Sequence, residues 1–333
     1  MSMLAFDPFG PAASPLALGL IAALVWLYLR GTKHPRLVRE RVSTVRHILF
    51  SLGVLALIIS YNAPLAPEGQ QLFALHQVQH LLIRLLGPLL IVLSFPLPVL
   101  RAGLPRDLRR RLGRLMQRPA IARGVGYVTS VPLAFLILVG WFYLWQTPFL
   151  HNAALGAPAL ALFAHLGMTL SGLLLFGVVM DRRDAPDGAV HSLRLMALLG
   201  VILSNILLGS LTTMKEVVLY VGYDIPRQIL ERAALADETV GGYLIWVPSS
   251  MLIIAAIILV FNGWNAAETQ RWNARHDHQS GSNVAALAYP ETAEELWIKV
   301  ADANRRMRLT LFMVPPTIFA VVMTTFIMIV YFL

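Results

Sequence analysis

Two histidines and one arginine lie inside one of the most apolar stretches of this chain. The segment LFALHQVQHLLIRLLGP, residues 72–88, carries His76, His80 and Arg84 at intervals of four residues. On an α-helix this spacing places the three side chains on one face. Two imidazoles one turn apart commonly offer two nitrogen ligands to one metal ion. A zinc-protease site is not expected, because Gln77 follows His76 where that chemistry requires a glutamate as general base.

Other candidate ligands occur in later segments. His165 lies in an apolar run at a depth comparable to that of His76 and His80, and we expect these three histidines to bind a metal ion. Weaker candidates, either as ligands or as partners of ligands, are Met168, Met214, Asp237 and His151. Cysteine is absent, so any metal site must use His, Met, Asp or Glu.

The composition predicts an all-α, polytopic membrane protein. Of the 333 residues 57% are hydrophobic and 14% are charged, whereas a soluble domain has about 25% charged residues. Eight runs are long and apolar enough to cross a bilayer as helices: residues 13–29, 45–62, 71–100, 126–147, 156–180, 190–212, 240–263 and 309–333. The third run contains Gly87-Pro88, Pro96 and Pro98, which predict a kink or an early end.

The basic residues indicate the orientation in the membrane. Of the 27 Lys and Arg residues, all but four lie in alternate loops; the four are Arg84, Lys215, Arg227 and Arg232. By the positive-inside rule both termini are then on the outer side, and the candidate ligands lie near the outer face. Membrane topology and contact with anionic lipids account for the net charge of +9, so we expect no nucleic-acid partner.

We expect three parts along the chain. Residues 1–263 form a seven-helix membrane core, residues 264–308 form a cytoplasmic loop that contains a helix, and residues 309–333 form an additional C-terminal transmembrane helix. Arg84 is difficult to place in such a core, because a charge within the membrane is costly unless it has a partner or lines a water-filled cavity. Asp237 and Glu238 are its candidate partners.

Three stretches together resemble a known family. YNAPLAPEGQQLFALHQVQHLLIRLLGPLLIVLSFPLP (61–98), FAHLGMTLSGLLLFGVVMD (163–181) and DETVGGYLIWVPSSM (237–251) are similar in order and spacing to the polytopic, CtaG-type cytochrome c oxidase assembly factors. His76, His80 and Pro88 match the first motif of that family, and His165 matches the second. The third motif is matched by Asp237, Gly241, Gly242, Trp246 and Pro248.

The resemblance implies a membrane protein of the bacterial inner membrane that is not an enzyme and that helps to mature a haem-copper oxidase. Its partners would be cytochrome c oxidase subunits or other assembly factors. It would handle copper at the outer, periplasmic face through the histidines. The Gly241-Gly242 pair would let helices approach closely and bring Asp237 toward the site, as a partner of an imidazole or of Arg84.

Three alternatives remain open from the sequence. The first is an electron carrier in which histidines of the third and fifth spans ligate haem b. The second is a transporter in which Arg84 binds an anionic or metal-bound substrate. The third is a scaffold that holds oxidase subunits during insertion and binds no metal.

Overall fold

The structure, a computed structural model, describes residues 15–34, 42–62, 71–183, 188–223 and 233–277, together with Arg305, Leu309 and Met313. Within these residues all regular structure is helical, which confirms the all-α fold class. The chain divides into two compact units, Met1–Phe261 and Asn262–Leu333. The candidate site lies in the first unit.

The helices of the described part follow one another in this order: α1 (Pro15–Thr32), α2 (Thr44–Tyr61), α3 (Phe73–Leu81), a π-helical turn (Leu82–Leu86), α4 (Gly87–Leu93), α5 (Pro96–Gly103), α6 (Arg106–Met116), α7 (Pro119–Val128), α8 (Val131–Gln146), α9 (Pro148–Leu155), α10 (Pro158–Val179), α11 (His191–Met214), a 3₁₀ turn (Val221–Tyr223) and α12 (Ala234–Asp277).

The described helices agree with seven of the eight predicted spans. Six helical stretches are long and apolar enough to cross a membrane: α1, α2, the stretch Phe73–Leu93, α10, α11 and α12. The fourth predicted span corresponds to α7 and α8, which are bent by 62° at their junction and give a seventh span if they count as one. Apart from Leu309 and Met313, the predicted eighth span lies outside the described residues, so the count of eight stays a prediction.

Helix α12 is longer than the predicted seventh span. It runs for 44 residues and continues beyond residue 263 to Asp277. Pro248 lies inside it and cannot donate to the Leu244 carbonyl, which instead accepts the Ser249 hydroxyl at 3.5 Å. Apart from Arg305, the remainder of the predicted cytoplasmic loop, residues 278–308, lies outside the described part of the chain.

The third span is interrupted at the level of Arg84. Pro88 has no N–H to donate to the Arg84 carbonyl, and its ring occupies the space beside that carbonyl. The helix widens here into the π turn, and the Gly87 N–H reaches back to the Leu82 carbonyl. Helix α4 then ends at Leu93, Phe95 takes a left-handed conformation with φ of 51°, and α5 begins at Pro96. The predicted early end is confirmed.

Helix α10 packs directly against this π turn. A Cβ atom on Gly172 would collide with the Arg84 carbonyl oxygen and would lie 2.9 Å from Pro88 Cγ. The absence of a side chain therefore lets the third and fifth spans approach closely. His165 precedes Gly172 by about two turns of the same helix, and the close approach brings it to the level of α3.

Candidate metal centre

Three histidines from two spans converge at one end of the bundle. His76 and His80 project from α3 and His165 projects from α10, and one ring nitrogen of each lies within 4.8 Å of the others. The Nε2 atoms of His76 and His165 are 3.3 Å apart. Two nitrogens that each lie about 2.0 Å from a shared ion have roughly this separation. The structure thus brings together the three histidines that the sequence singled out; that they bind a metal stays a prediction.

The three imidazoles line a small cavity. Its volume is about 10 Å³, which is enough for about one water-sized occupant. The other lining residues are Trp145, His151, Ala154, Ala161 and Ala164. His80 Nδ1 is buried and has no hydrogen-bond partner among the described residues. A buried nitrogen of this kind is expected to meet a water or an ion, which suits a site that takes up a small ligand.

A chain of hydrogen bonds fixes the proton positions on His76. His151 Nδ1 lies 3.1 Å from the Trp145 carbonyl oxygen, which can only accept, so this nitrogen carries a proton. In neutral His151, Nε2 therefore accepts from the Tyr223 hydroxyl at 2.8 Å. The Tyr223 oxygen in turn accepts from His76 Nδ1. His76 Nε2 is left with a lone pair facing His165, as a metal ligand requires.

His151 and Tyr223 are both neutral at neutral pH. Burial lowers the pKa of His151 to about 4, although its hydrogen bond to the Trp145 carbonyl acts in the opposite direction. Burial raises the pKa of Tyr223, and the neighbouring Asp237 and Tyr220 raise it further. His151 is therefore linked as a neutral group to His76 through Tyr223.

Asp237 caps the helix that carries His76 and His80. Its Oδ2 accepts the Phe73 N–H at 2.6 Å, and its Oδ1 accepts the Ala74 N–H at 3.2 Å. The first N–H groups of a helix have no acceptor within the helix, and the side chain of Leu72 at the cap position supplies none. Helix α12 thus provides in trans the carboxylate that an N-cap residue usually provides. The sequence analysis did not predict this contact; it expected Asp237 as a partner of an imidazole or of Arg84, and the role toward an imidazole stays a prediction.

Arg84 has an uncharged partner. Its Nη1 and Nη2 donate to Asn205 Oδ1 at 3.1 and 3.2 Å, and its Cζ lies 3.6 Å from the centre of the Phe142 ring. The side chain is only 2% exposed. A neutral amide and an aromatic face therefore surround this charge.

Glu238, the other acid expected to pair with Arg84, is engaged elsewhere. It forms an ion pair with Lys215 and accepts the N–H groups of Leu219 and Tyr220 at 3.2 and 2.8 Å. The prediction that an acid from the start of the seventh span neutralises Arg84 is therefore wrong. The reason is that both acids bind backbone N–H groups at their own end of the bundle.

The two candidate methionines differ in their surroundings. Met168 is fully buried in a hydrophobic cluster that also contains Phe73, Phe142 and Trp145. Met214 is the last residue of α11, and its side chain is 48% exposed. Met168 therefore lies in the core one turn from His165, whereas Met214 does not share the burial of His76 and His80.

The Gly-Gly motif lets three spans meet beside the capped end of α3. A Cβ atom on Gly241 would collide with the Phe73 ring, and one on Gly242 would lie 2.9 Å from the Gly209 carbonyl oxygen. Trp246, about one turn later, packs on Gly209, where an added Cβ would lie 2.8 Å from Trp246 Cβ. The close approach lets Asp237 reach the start of α3.

Tyr223 and Asn205 are the residues of the site that the sequence analysis missed. Tyr223 belongs to a short 3₁₀ turn, and no periodic spacing connects it with the histidines of other helices. Asn205 lies within the apolar helix α11. The sequence feature that could have identified Asn205 is an isolated amide in a membrane span, because such a group needs a buried partner.

Comparison with known proteins agrees with the resemblance seen in the motifs. The family described as cytochrome c oxidase caa3 assembly factor (Caa3_CtaG) matches residues 26–267. An uncharacterized protein of Mycobacterium bovis and one of Mycobacterium tuberculosis are each 23% identical over 284 residues, which cover 83% of this chain and 41% of the relative. The chain thus spans 41% of the length of these curated relatives.

No solved structure matches the chain. The family match extends over most of the chain and includes the third, fifth and seventh spans with the three histidines. Together with the long apolar helices, it describes a multi-pass membrane protein. The chain belongs to the cytochrome c oxidase caa3 assembly factor family.

Proposed function

We propose that this protein binds copper at His76, His80 and His165 and holds or delivers it for cytochrome c oxidase assembly at the outer face of the bacterial inner membrane. One observation carries the proposal: three imidazole nitrogens from two spans lie within 4.8 Å of one another, in a member of an oxidase assembly family. Copper is here a cargo that the protein takes up and releases.

The donor set suits copper. Imidazole is a good ligand for copper in both common oxidation states, and the hydrogen bonds through Tyr223 and His151 leave His76 Nε2 unprotonated. His80 Nδ1 is buried without a hydrogen-bond partner among the described residues, so a metal ion would supply the contact that this imidazole lacks. His165 Nε2 lies 3.3 Å from His76 Nε2, close enough for both nitrogens to bind one ion.

The location of the site supports exchange with partners on the outer side. The positive-inside distribution of basic residues puts the beginnings of the third and fifth spans, which carry the histidines, at the outer face. The recipients would be oxidase subunits or other assembly factors. Since uptake and release of an ion change no covalent bond of the protein or of a substrate, this function needs no catalytic residue.

The geometry favours an ion over a haem group. A cavity of about 10 Å³ cannot hold a porphyrin, and the 3.3 Å between His76 Nε2 and His165 Nε2 leaves no room for a macrocycle between them. The carrier with haem b therefore needs a large rearrangement of α3 and α10, whereas an ion fits between the histidines as they stand.

Metal analysis of the purified protein tests the proposal. Protein loaded with copper and then desalted should keep about one copper per chain, and His76→Ala combined with His80→Ala should lose it. His191→Ala, a change at the start of α11, is the matched control and should keep the metal. No other described cluster offers three such ligands, so no described site should replace the lost one in the double variant. Full copper occupancy in that variant would contradict the proposal.

A further inference from the structure

We infer that Arg84 makes the histidine site selective for a monovalent ion, Cu(I), over divalent ions, because its uncompensated guanidinium and His80 both contact the Phe142 ring. The inference rests on the proposed copper site and names the charge of the ion that this site accepts. The observations behind it are the charges of the groups around the three histidines.

The guanidinium of Arg84 is not neutralised by any described residue. It stays protonated in proteins, and its two Nη atoms donate to the neutral amide oxygen of Asn205. Arg84 Nε and Asn205 Nδ2 are both buried without a hydrogen-bond partner in the described part of the chain. The full positive charge of Arg84 therefore acts on its surroundings.

The nearby carboxylates do not cancel this charge. Asp237 accepts two N–H groups at the start of α3, where the partial positive charge of the helix end offsets it. Glu238 is paired with Lys215. The metal-ligand cluster of the described residues consists of three histidines and no carboxylate, so the ligands themselves contribute no negative charge.

Phe142 shows how close the charge is to the site. Arg84 Cζ lies 3.6 Å from the centre of the Phe142 ring, and the centre of the His80 ring lies 6.1 Å from the same point. The guanidinium carbon and the His80 ring are therefore within roughly 10 Å of each other. Arg84, Phe142 and His80 are all buried, so solvent screens this interaction only weakly.

At about 10 Å and an effective dielectric constant of about 20, one unit charge changes the binding constant of a univalent cation roughly tenfold. The effect is proportional to the charge of the bound ion. Binding of a divalent ion is therefore weakened about a hundredfold, and binding of a monovalent ion about tenfold. Arg84 thus shifts the preference toward the monovalent ion by roughly tenfold.

Competition with chelators tests this inference on the full chain in detergent. The measured quantities are the affinities for Cu(I), held under a reductant without oxygen, and for Zn(II). Asn205→Asp places a carboxylate where the amide oxygen contacts both Nη atoms, with little change in shape. In this variant we expect the Zn(II) affinity to rise about a hundredfold and the Cu(I) affinity about tenfold. The ratio of the two affinities then moves about tenfold toward Zn(II).

Two controls keep the positive charge. Arg84→Lys retains a cation and Asn205→Gln retains a neutral amide, and both should keep the Zn(II)-to-Cu(I) ratio of the wild type. An Asn205→Asp protein that folds, binds both ions and shows the wild-type ratio would overturn the inference. Wild-type protein that binds neither ion would overturn the metal site itself, and this inference with it.

Discussion

The Asp237 carboxylate accepts the backbone N–H of Phe73 at 2.6 Å, across 164 positions of sequence. Its other oxygen accepts the Ala74 N–H. Because these N–H groups begin the helix that carries His76 and His80, the seventh span holds α3 at its first turn. The position of these two histidines therefore depends on a contact between two spans.

Asp237→Asn should weaken this contact and so lower the stability of the fold. The variant keeps one carbonyl oxygen but loses the charge that favours a helix N-terminus, and such caps contribute about 0.5–2 kcal/mol. We expect a loss of about 1 kcal/mol in the free energy of unfolding, seen as a lower midpoint of thermal unfolding in detergent. Glu268→Gln, an exposed change on the same helix, is the control and should have almost no effect. Equal midpoints for both variants would show that the cap does not stabilise the fold.

Tyr223→Phe should lower the affinity for copper and leave the number of bound ions unchanged. The change removes the hydroxyl between His151 Nε2 and His76 Nδ1, so the tautomer and orientation of His76 are no longer fixed. Loss of a partner behind a metal ligand typically costs 10- to 100-fold in affinity. Chelator competition measures this effect.

Tyr220→Phe is the matched control for this prediction. The Tyr220 ring packs beside His151, and phenylalanine keeps that ring. The Tyr220 hydroxyl itself donates to the Gln146 carbonyl at 2.8 Å and not to a histidine, so its loss should leave the copper affinity unchanged. If both tyrosine variants bound copper as the wild type does, the chain of hydrogen bonds through Tyr223 would not prepare His76 for the metal.

Gly172→Ala should separate the third and fifth spans. The new methyl group would collide with the Arg84 carbonyl oxygen and crowd Pro88, and overpacking of this kind costs about 1–3 kcal/mol. A Cβ atom on Gly177, on the same helix, would meet nothing within 4 Å, so Gly177→Ala is the control. Thermal unfolding should distinguish the two variants; equal stability would mean that α10 moves aside without cost.

His151 predicts a pH dependence of stability. Its pKa in the folded protein is lowered to about 4, below the ordinary value near 6.5, so between these values only the unfolded chain binds the proton. Stability should therefore fall as the pH drops through this window, by up to roughly 3 kcal/mol from this residue. In His151→Gln, thermal unfolding across the window should show a smaller slope than in the wild type. An unchanged slope would show that His151 is not the group responsible.

The sequence predicted the spans and the three histidines because both follow from local patterns. Apolar runs of about 20 residues define the spans, and the spacing of His76 and His80 places them on one helical face. The position of His165 along its span could also be predicted from the sequence. The break of the third span followed from Pro88, Pro96 and Pro98.

The partners of the polar residues could not be predicted in the same way. Asp237 and Asn205 contact residues more than a hundred positions away, and these contacts depend on how spans pack and rotate against one another. The π turn at Leu82–Leu86 also changes the direction of Arg84 relative to an ideal helix. Arg84 donates to Asn205 and not to an acid, because Asp237 and Glu238 accept backbone N–H groups at their own end of the bundle.

X-ray absorption spectroscopy of the copper-loaded protein tests the central claim most directly. The proposed site predicts a shell of three nitrogen ligands, from His76, His80 and His165, at about 2.0 Å with the scattering pattern of imidazole. The same spectrum should change in His165→Ala. A shell dominated by sulfur, or an imidazole signal that persists when these three histidines are replaced, would contradict the account.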